Sequence, residues 1–252
     1  MKRVMLTVAY DGTNYCGWQV QPNGVTIEEV LNFHLSKLLK EDIQVIGASR
    51  TDSGVHALGN VAVFDTNARM PADKISFATN QRLPDDVKIL DSREVEADFH
   101  PRRCRCRKTY EYRILNTVHP VPNYRLNTHF HYWKLDMDPM IEAAKYLIGE
   151  HDFASFCSVN SQALTTVRTV RSIDIFKDES TSIITIRIVG DGFLYNMVRI
   201  IAGTLMEIGG GKYPPERMKE ILEACSRAAA GPTAPARGLT LIGMRFLGDD
   251  EE

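Results

Sequence analysis

The residues best placed to do chemistry stand together in Gly47-Ala48-Ser49-Arg50-Thr51-Asp52-Ser53-Gly54-Val55-His56-Ala57-Leu58-Gly59-Asn60, a polar stretch punctuated by glycine. Asp52 has a cation two residues before it, a hydroxyl on either side, and a glycine two residues after it, where another molecule's backbone can come close. Those surroundings suit a working carboxylate. They suit equally a polar turn in which Asp52 and Ser53 bond their own backbone.

A second concentration is Pro101-Arg102-Arg103-Cys104-Arg105-Cys106-Arg107-Lys108-Thr109-Tyr110-Glu111-Tyr112-Arg113, with six cations, one acid and two aromatics. Such a segment attracts phosphates and offers faces on which bases stack; as a bare charge run it reads as a solvated linker. The third feature is Arg199, a cation inside the apolar run Phe193 to Ile208. It must find a partner or reach water, by pairing or by snorkelling.

Composition frames these candidates. The 252 residues are 44% hydrophobic, which suits a globular protein with a real core of one large or two ordinary domains. The formal net charge of -2 conceals an asymmetry: residues 1–100 hold 10 Lys and Arg against 14 Asp and Glu, while residues 101–252 hold 20 against 18. Nucleic acid is therefore a partner class to weigh. Five cysteines, with no CxxC pair, and no apolar secretory segment after Met1-Lys2-Arg3 point to free thiols in a reducing cytoplasm. No apolar run approaches the roughly 20 residues that a membrane span needs.

The elements that must position the candidates follow from periodicity. Val4 to Tyr10 predicts a strand, and Thr26-Ile27-Glu28-Glu29 a capping box that opens a helix of about 14 residues. That helix carries Ile27, Val30, Leu31, Leu35, Leu38 and Leu39 on its apolar stripe and ends near Lys40, with His34 at the edge of the core. Gln44-Val45-Ile46 and Asn60 to Asp65 read as strands on either side of the Asp52 loop. A helix over Ala72 to Thr79 presents Ile75 and Phe77 inward, and Val87 to Val95 is a strand. The order strand, helix, strand, strand, helix, strand is that of a ferredoxin-like or RNA-recognition-type α+β domain.

Beyond it, Thr109 to Leu115 alternates, with Tyr110, Tyr112 and Ile114 on one face. Thr128 to Trp133 predicts another strand, and Asp138 caps a helix that Pro139 opens and Ile148 ends. Val167 to Phe176 and Ser182 to Val189 pair as strands, Phe193 to Ile208 is a buried helix, and Pro214-Pro215-Glu216 opens a helix to Cys225. Leu239 to Phe246 is a closing strand, and Asp249 to Glu252 an acidic tail expected to fray. The expected division is 1–100 and 101–252.

Some motifs fail on inspection. Gly209-Gly210-Gly211-Lys212 lacks the Walker spacing and the following Ser or Thr, and reads as a helix C-terminus. Cys104 and Cys106 with His129 and His131 have zinc-ligand chemistry without a structural-zinc spacing, so ordinary strands are the reading and no metal is expected. No GxSxG, HExxH or GxGxxG occurs, and no cofactor is named.

Taken together, the loop, Tyr110 and the Arg199 segment resemble the TruA family of tRNA pseudouridine synthases. Arg50-Thr51-Asp52-Ser53-Gly54-Val55-His56 matches the family's Arg-Thr-Asp-x-Gly-Val-His motif. In the same order along the chain come Tyr10-Asp11-Gly12 with Gly17-Trp18-Gln19, Asp98-Phe99-His100, Lys108-Thr109-Tyr110 and Asp152-Phe153-Ala154-Ser155-Phe156. Gly192-Phe193-Leu194 with Met197-Val198-Arg199 and Ala234-Pro235-Ala236-Arg237-Gly238-Leu239 complete the set.

The resemblance implies isomerisation of uridine to pseudouridine at positions 38 to 40 of the tRNA anticodon stem-loop, without a cofactor or metal, by a cytoplasmic homodimer. It implies two α+β domains with antiparallel sheets flanked by helices and an active-site cleft between them. Carried over by position, Asp52 is the catalytic carboxylate, attacking or deprotonating the ribose. Arg50 helps displace the target from its stack, Tyr110 lies against the flipped base and is a candidate for proton removal from C5, and Arg199 pairs with Asp52. Thr51, His56, Arg102, Arg103, Arg105, Arg107 and Lys108 are expected to bind substrate.

A base in a stem cannot reach a carboxylate until it is extruded, so an arginine and an aromatic floor beside Asp52 are what the task requires. Ser49 stands where many members have glycine, and Cys104 and Cys106 match nothing specific. Two other classes remain open: an RNA-binding protein without activity, and an enzyme using Asp52 as a nucleophile on phosphate, which requires Mg²⁺ and a second carboxylate.

Overall fold

The computed structural model describes residues 1–159 and 163–248, so the acidic tail lies outside the described residues. The chain divides into two compact units, Met1–Cys106 together with the segment from Leu241 on, and Arg107–Thr240.

The first unit opens with β1 (Lys2–Tyr10), followed by α1 (Ile27–Leu39), β2 (Ile46–Gly47), β3 (His56–Thr66), α2 (Ala72–Asn80) and β4 (Val87–Val95). β1 pairs antiparallel with both β3 and β4, and β2 pairs antiparallel with β3. This is the ferredoxin-like order the periodicity predicts. α1 forms where expected because Thr26 accepts a hydrogen bond from the Glu29 N–H at 3.3 Å, and Ile27, Leu31, Leu35 and Leu39 recur every fourth residue on its buried face. His34 is half-buried beside that stripe, and burial, with Lys37 and Arg82 nearby, lowers its pKa.

α2 corrects one expectation. Ile75 is fully buried, but Phe77 is 69% exposed. Residues two apart on a helix lie on opposite sides, so Ser76 and Thr79 share the inner face with Ile75 instead.

The second unit begins in β5 (Cys106–Leu115) and continues with β6 (His129–Phe130), α3 (Met137–Lys145), β7 (Gly149–Asp152), β8 (Val167–Asp178), β9 (Ile183–Gly190), α4 (Met197–Gly209) and α5 (Arg217–Glu223). β5 pairs antiparallel with β9, β9 with β8, and β8 with β7. β6 lies parallel to β5, an exception to the all-antiparallel expectation. The predicted strand over Thr128 to Trp133 shrinks to these two residues. The Asn116 amide takes the carbonyls of His131 and Trp133 at 3.0 and 2.7 Å and receives the Leu135 N–H at 3.0 Å, drawing the segment off the ladder.

Two helix starts also move. Asp136 rather than Asp138 caps α3, accepting the Asp138 N–H at 3.1 Å. The run from Phe193 turns helical only at Met197, because Asn196 adopts the left-handed region at φ 62. α4 then ends as the glycine run predicts, with the Gly210 N–H on the Met206 carbonyl at 2.9 Å. No helix among the described residues is long and apolar enough to cross a membrane.

The last strand, β10 (Leu239–Phe246), returns to the first unit and lies beside β3. Met244 and Phe246 pack against the cluster of Met5, Ala48, Val61 and Val63. The observed units thus differ from a cut at residue 100 in that the C-terminal strand belongs with the N-terminal unit.

Candidate active site

The Asp52 loop spans the gap between β2 and β3 and is held from behind by buried polar groups. Asn60, fully buried on β3, donates from Nδ2 to the Ser49 carbonyl at 2.9 Å and accepts the Ser49 N–H on Oδ1 at 3.3 Å. The same amide donates to the Tyr10 hydroxyl at 3.2 Å, and that hydroxyl shares a 2.7 Å hydrogen bond with Thr51 Oγ1. Two strands therefore grip Ser49 and Thr51, on either side of Arg50. Arg50 itself is exposed, whereas Asp52 is half-buried.

The far side of the loop rests on residues 11–18. The Trp18 N–H donates to the Thr51 carbonyl at 3.0 Å, and the Gly54 N–H to the Tyr15 carbonyl at 3.3 Å. Gly54 thus meets a backbone of its own chain. Gly17 has φ +83, and a Cβ on it would stand 2.6 Å from the Thr51 carbonyl oxygen; on Gly12 a Cβ would collide with the Val55 carbonyl. Only glycine lets these segments touch. This contact explains physically why Tyr10-Asp11-Gly12 and Gly17-Trp18 accompany the Asp52 motif.

His56 is buried at 6% exposure, and its Nδ1 lies 3.1 Å from both the Gly12 N–H and Asp11 Oδ1. Partial burial opposes ionisation of Asp11, but hydrogen bonds from Thr13, with help from His56, outweigh it and hold that carboxyl below its ordinary value.

The basic run is divided between the two units. Arg102, Arg103 and Arg105 are exposed residues of the first unit, while Arg107 and Lys108 are half-buried on β5 in the second. Arg102 is anchored by Nε on the Gly47 carbonyl at 2.6 Å, at the base of the Asp52 loop. Burial first, and then Arg50 nearby, lower the pKa of its guanidinium.

In the second unit Tyr110 is buried on β5 opposite Ile188, with its ring edge-on to Phe193 at 5.2 Å and 82°. Tyr112, two residues on along the same face, donates to the Pro235 carbonyl at 3.0 Å; burial raises its pKa, while Arg199 and Arg237 act to lower it. Arg199 donates from Nε to the Ala234 carbonyl and from Nη1 to Asn196 Oδ1, both at 2.7 Å. The Ala234 N–H returns a bond to the Arg199 carbonyl at 3.1 Å. The motifs around residues 192–199 and 234–239 thus meet through Arg199.

A family model described as tRNA pseudouridine synthase matches residues 6–102 and 143–246. The chain belongs to the tRNA pseudouridine synthase family. Two relatives named tRNA pseudouridine synthase A are similar over nearly their whole length. The one from Acetivibrio thermocellus is 47% identical over 246 residues, 98% of this chain and 100% of that protein. The one from Brevibacillus brevis is 48% identical over 242 residues, 96% of this chain and 98% of that protein. A solved Cbf5–Nop10–Gar1 complex aligns with 96% of this chain and 48% of its own at 14% identity and a TM-score of 0.36.

Asp52 lies half-buried in the first unit, whereas Tyr110 is buried and Arg199 half-buried in the second. The sequence singles out Asp52, Arg50, Tyr110 and Arg199 but gives no role to Tyr10, Asn60 and Asn196, which bond Thr51, Ser49 and Arg199. The signal for Asn60 was present, since an amide at the start of a strand's apolar run marks a buried polar group that must be satisfied. Among the described residues no three His, Cys, Asp or Glu side chains cluster to hold a metal ion. His129 and His131 have ring centroids 6.2 Å apart, and burial, with His131 and Arg237 nearby, pushes His129 down to about 4. All five cysteines are free thiols.

Proposed function

We propose that this synthase isomerises uridine at positions 38 to 40 of the tRNA anticodon stem-loop, in the cytoplasm, as a homodimer and without a cofactor or metal. The observation that carries the reading is the Asp52 loop, clamped through Ser49 and Thr51 so that a half-buried carboxylate follows an exposed arginine. In the reaction the N1–C1′ bond breaks, a C5–C1′ bond forms, the C5 proton leaves to water and N1 gains a proton. Asp52 serves the ribose as nucleophile or base. Arg50 enters the stem to displace the target, which a base inside a helix requires. Tyr110 supplies the face for the uracil, and Arg199 is assigned as the cation that keeps the carboxylate ionised.

Arg102, Arg103, Arg105, Arg107 and Lys108 are assigned to phosphates. The anchored Nε of Arg102 leaves its role divided between RNA and the loop base. Thr51 and His56, both buried, serve the substrate through the loop's shape.

The test uses a tRNA transcript tritiated at uridine C5, with EDTA present. Release of tritium to water from positions 38 to 40, lost in Asp52→Ala, is the expected result. No release from any tRNA, or undiminished release in Asp52→Ala, overturns the reading; release only from uridines elsewhere overturns the assigned positions. Tyr110→Phe keeps the stacking face and reports whether the hydroxyl takes part.

A further inference from the structure

Asn196 stands where a helix N-cap should, immediately before α4, in a residue type that is among the best N-caps. Its side chain makes no capping hydrogen bond. Instead Oδ1 accepts from Nη1 of Arg199, three residues on, at 2.7 Å, so the bond an N-cap offers to a backbone N–H goes to a guanidinium. Nδ2 donates to Ser158 Oγ at 2.8 Å, and the Ser158 N–H donates to the Tyr195 carbonyl at 3.2 Å. The amide is thus fixed at both ends. The backbone of Asn196 is left-handed at φ 62, ψ 6, a conformation that asparagine tolerates better than most residues and glycine tolerates best. Arg199 Nε is held by the Ala234 carbonyl on the far side. Two acceptors on two different nitrogens set both the plane and the rotation of the guanidinium.

We infer that Asn196 is a positioning residue that orients Arg199, with Ser158 bracing the amide from behind. The inference rests on the reading above, in which Arg199 serves the reacting carboxylate. A helix start that forgoes its cap, in a strained conformation, is accounted for by the orientation of one side chain. Misalignment of a group beside the reacting atoms costs on the order of 10²-fold in rate.

A comparison of Asn196→Gly with Asn196→Ala separates this role from a backbone one. Both substitutions remove the amide, but glycine suits φ 62 whereas alanine strains the turn, so the melting temperature should fall less in Asn196→Gly than in Asn196→Ala. If Asn196 orients Arg199, kcat falls roughly 10- to 100-fold in both variants with KM for tRNA unchanged. In an Arg199→Ala background, Asn196→Gly then has no further effect on kcat. A normal kcat in Asn196→Gly, with Arg199→Ala impaired, overturns this inference and leaves the proposed reaction standing. A normal kcat in Arg199→Ala overturns both the inference and the role given to Arg199. A rise in KM without a fall in kcat also overturns it, because that assigns the amide to binding.

Discussion

Asn60 holds the Asp52 loop from outside its Arg50–His56 motif. Its amide uses both ends on Ser49, bonds the Tyr10 hydroxyl, and accepts the N–H of its neighbour Val61 at 2.9 Å. Truncation to alanine strands the Ser49 N–H and carbonyl in a buried site, at about 1–3 kcal/mol for each group left unsatisfied. Tyr10→Phe removes one hydroxyl from the same network and strands less. Urea unfolding should therefore rank Asn60→Ala as more destabilising than Tyr10→Phe, and the reverse order would mean that Tyr10 is the centre of the network. At this scale the sequence singles out Asp52, Tyr110 and Arg199 by residue type, and the proposed reaction assigns them their roles. The sequence is opaque where a role exists only after folding. Asn60 lies 11 residues from Ser49, and Tyr10 lies 41 from Thr51, and the pairing of β3 with β2 and with β1 brings them together.

The elements themselves were legible wherever one periodicity ran unopposed. α1 and β4 stand where their patterns place them, α1 with a fourfold apolar stripe and β4 with Val87 and Ile89 alternating into the core. Two of the departures share a cause: a local hydrogen bond prevailed over the pattern. Asn116 pulled the residues after β6 away from the ladder, and Asp136 capped α3 ahead of the expected aspartate.

A cross-strand pair gives this scale its test. Arg3 on β1 lies opposite Asp65 on β3 and donates to it from Nε and Nη2 at 2.8 and 2.7 Å. The hydrogen bond from Arg3 holds the Asp65 carboxyl below its ordinary value, against some opposition from burial. An unfolded aspartate titrates at about 3.9, so the stabilisation is fully present above that pH and is lost as pH falls through the lower folded value. Asp65→Asn should be less stable than the parent at pH 7, and the gap should close as pH falls toward about 2. A gap that stays constant across the titration would assign the effect to packing.

At the scale of the molecule, the sequence suggests a chain read in two successive halves, while the fold sends its last strand home. β10 lies beside β3, the strand that carries Asn60 and bounds the Asp52 loop. Phe246 meets Phe99 edge-on at 5.2 Å, and the Leu247 N–H donates to the Arg105 carbonyl at 3.0 Å. Periodicity identified β10 as a strand but carries no information about its partner, since strands of either half would accept it.

Deleting the chain from Leu241 onward therefore acts on the N-terminal unit. It uncovers an edge of β3 and withdraws Met244 and Phe246 from the cluster of Met5, Val61 and Val63. Hydrogen exchange should lose protection first in His56–Thr66 and in the loop before it, with β8 and β9 of the other unit retaining theirs, and activity should fall with the loop. Loss confined to the second unit would mean that the chain folds as two consecutive halves. Loss spread evenly over both would mean that the units do not unfold separately.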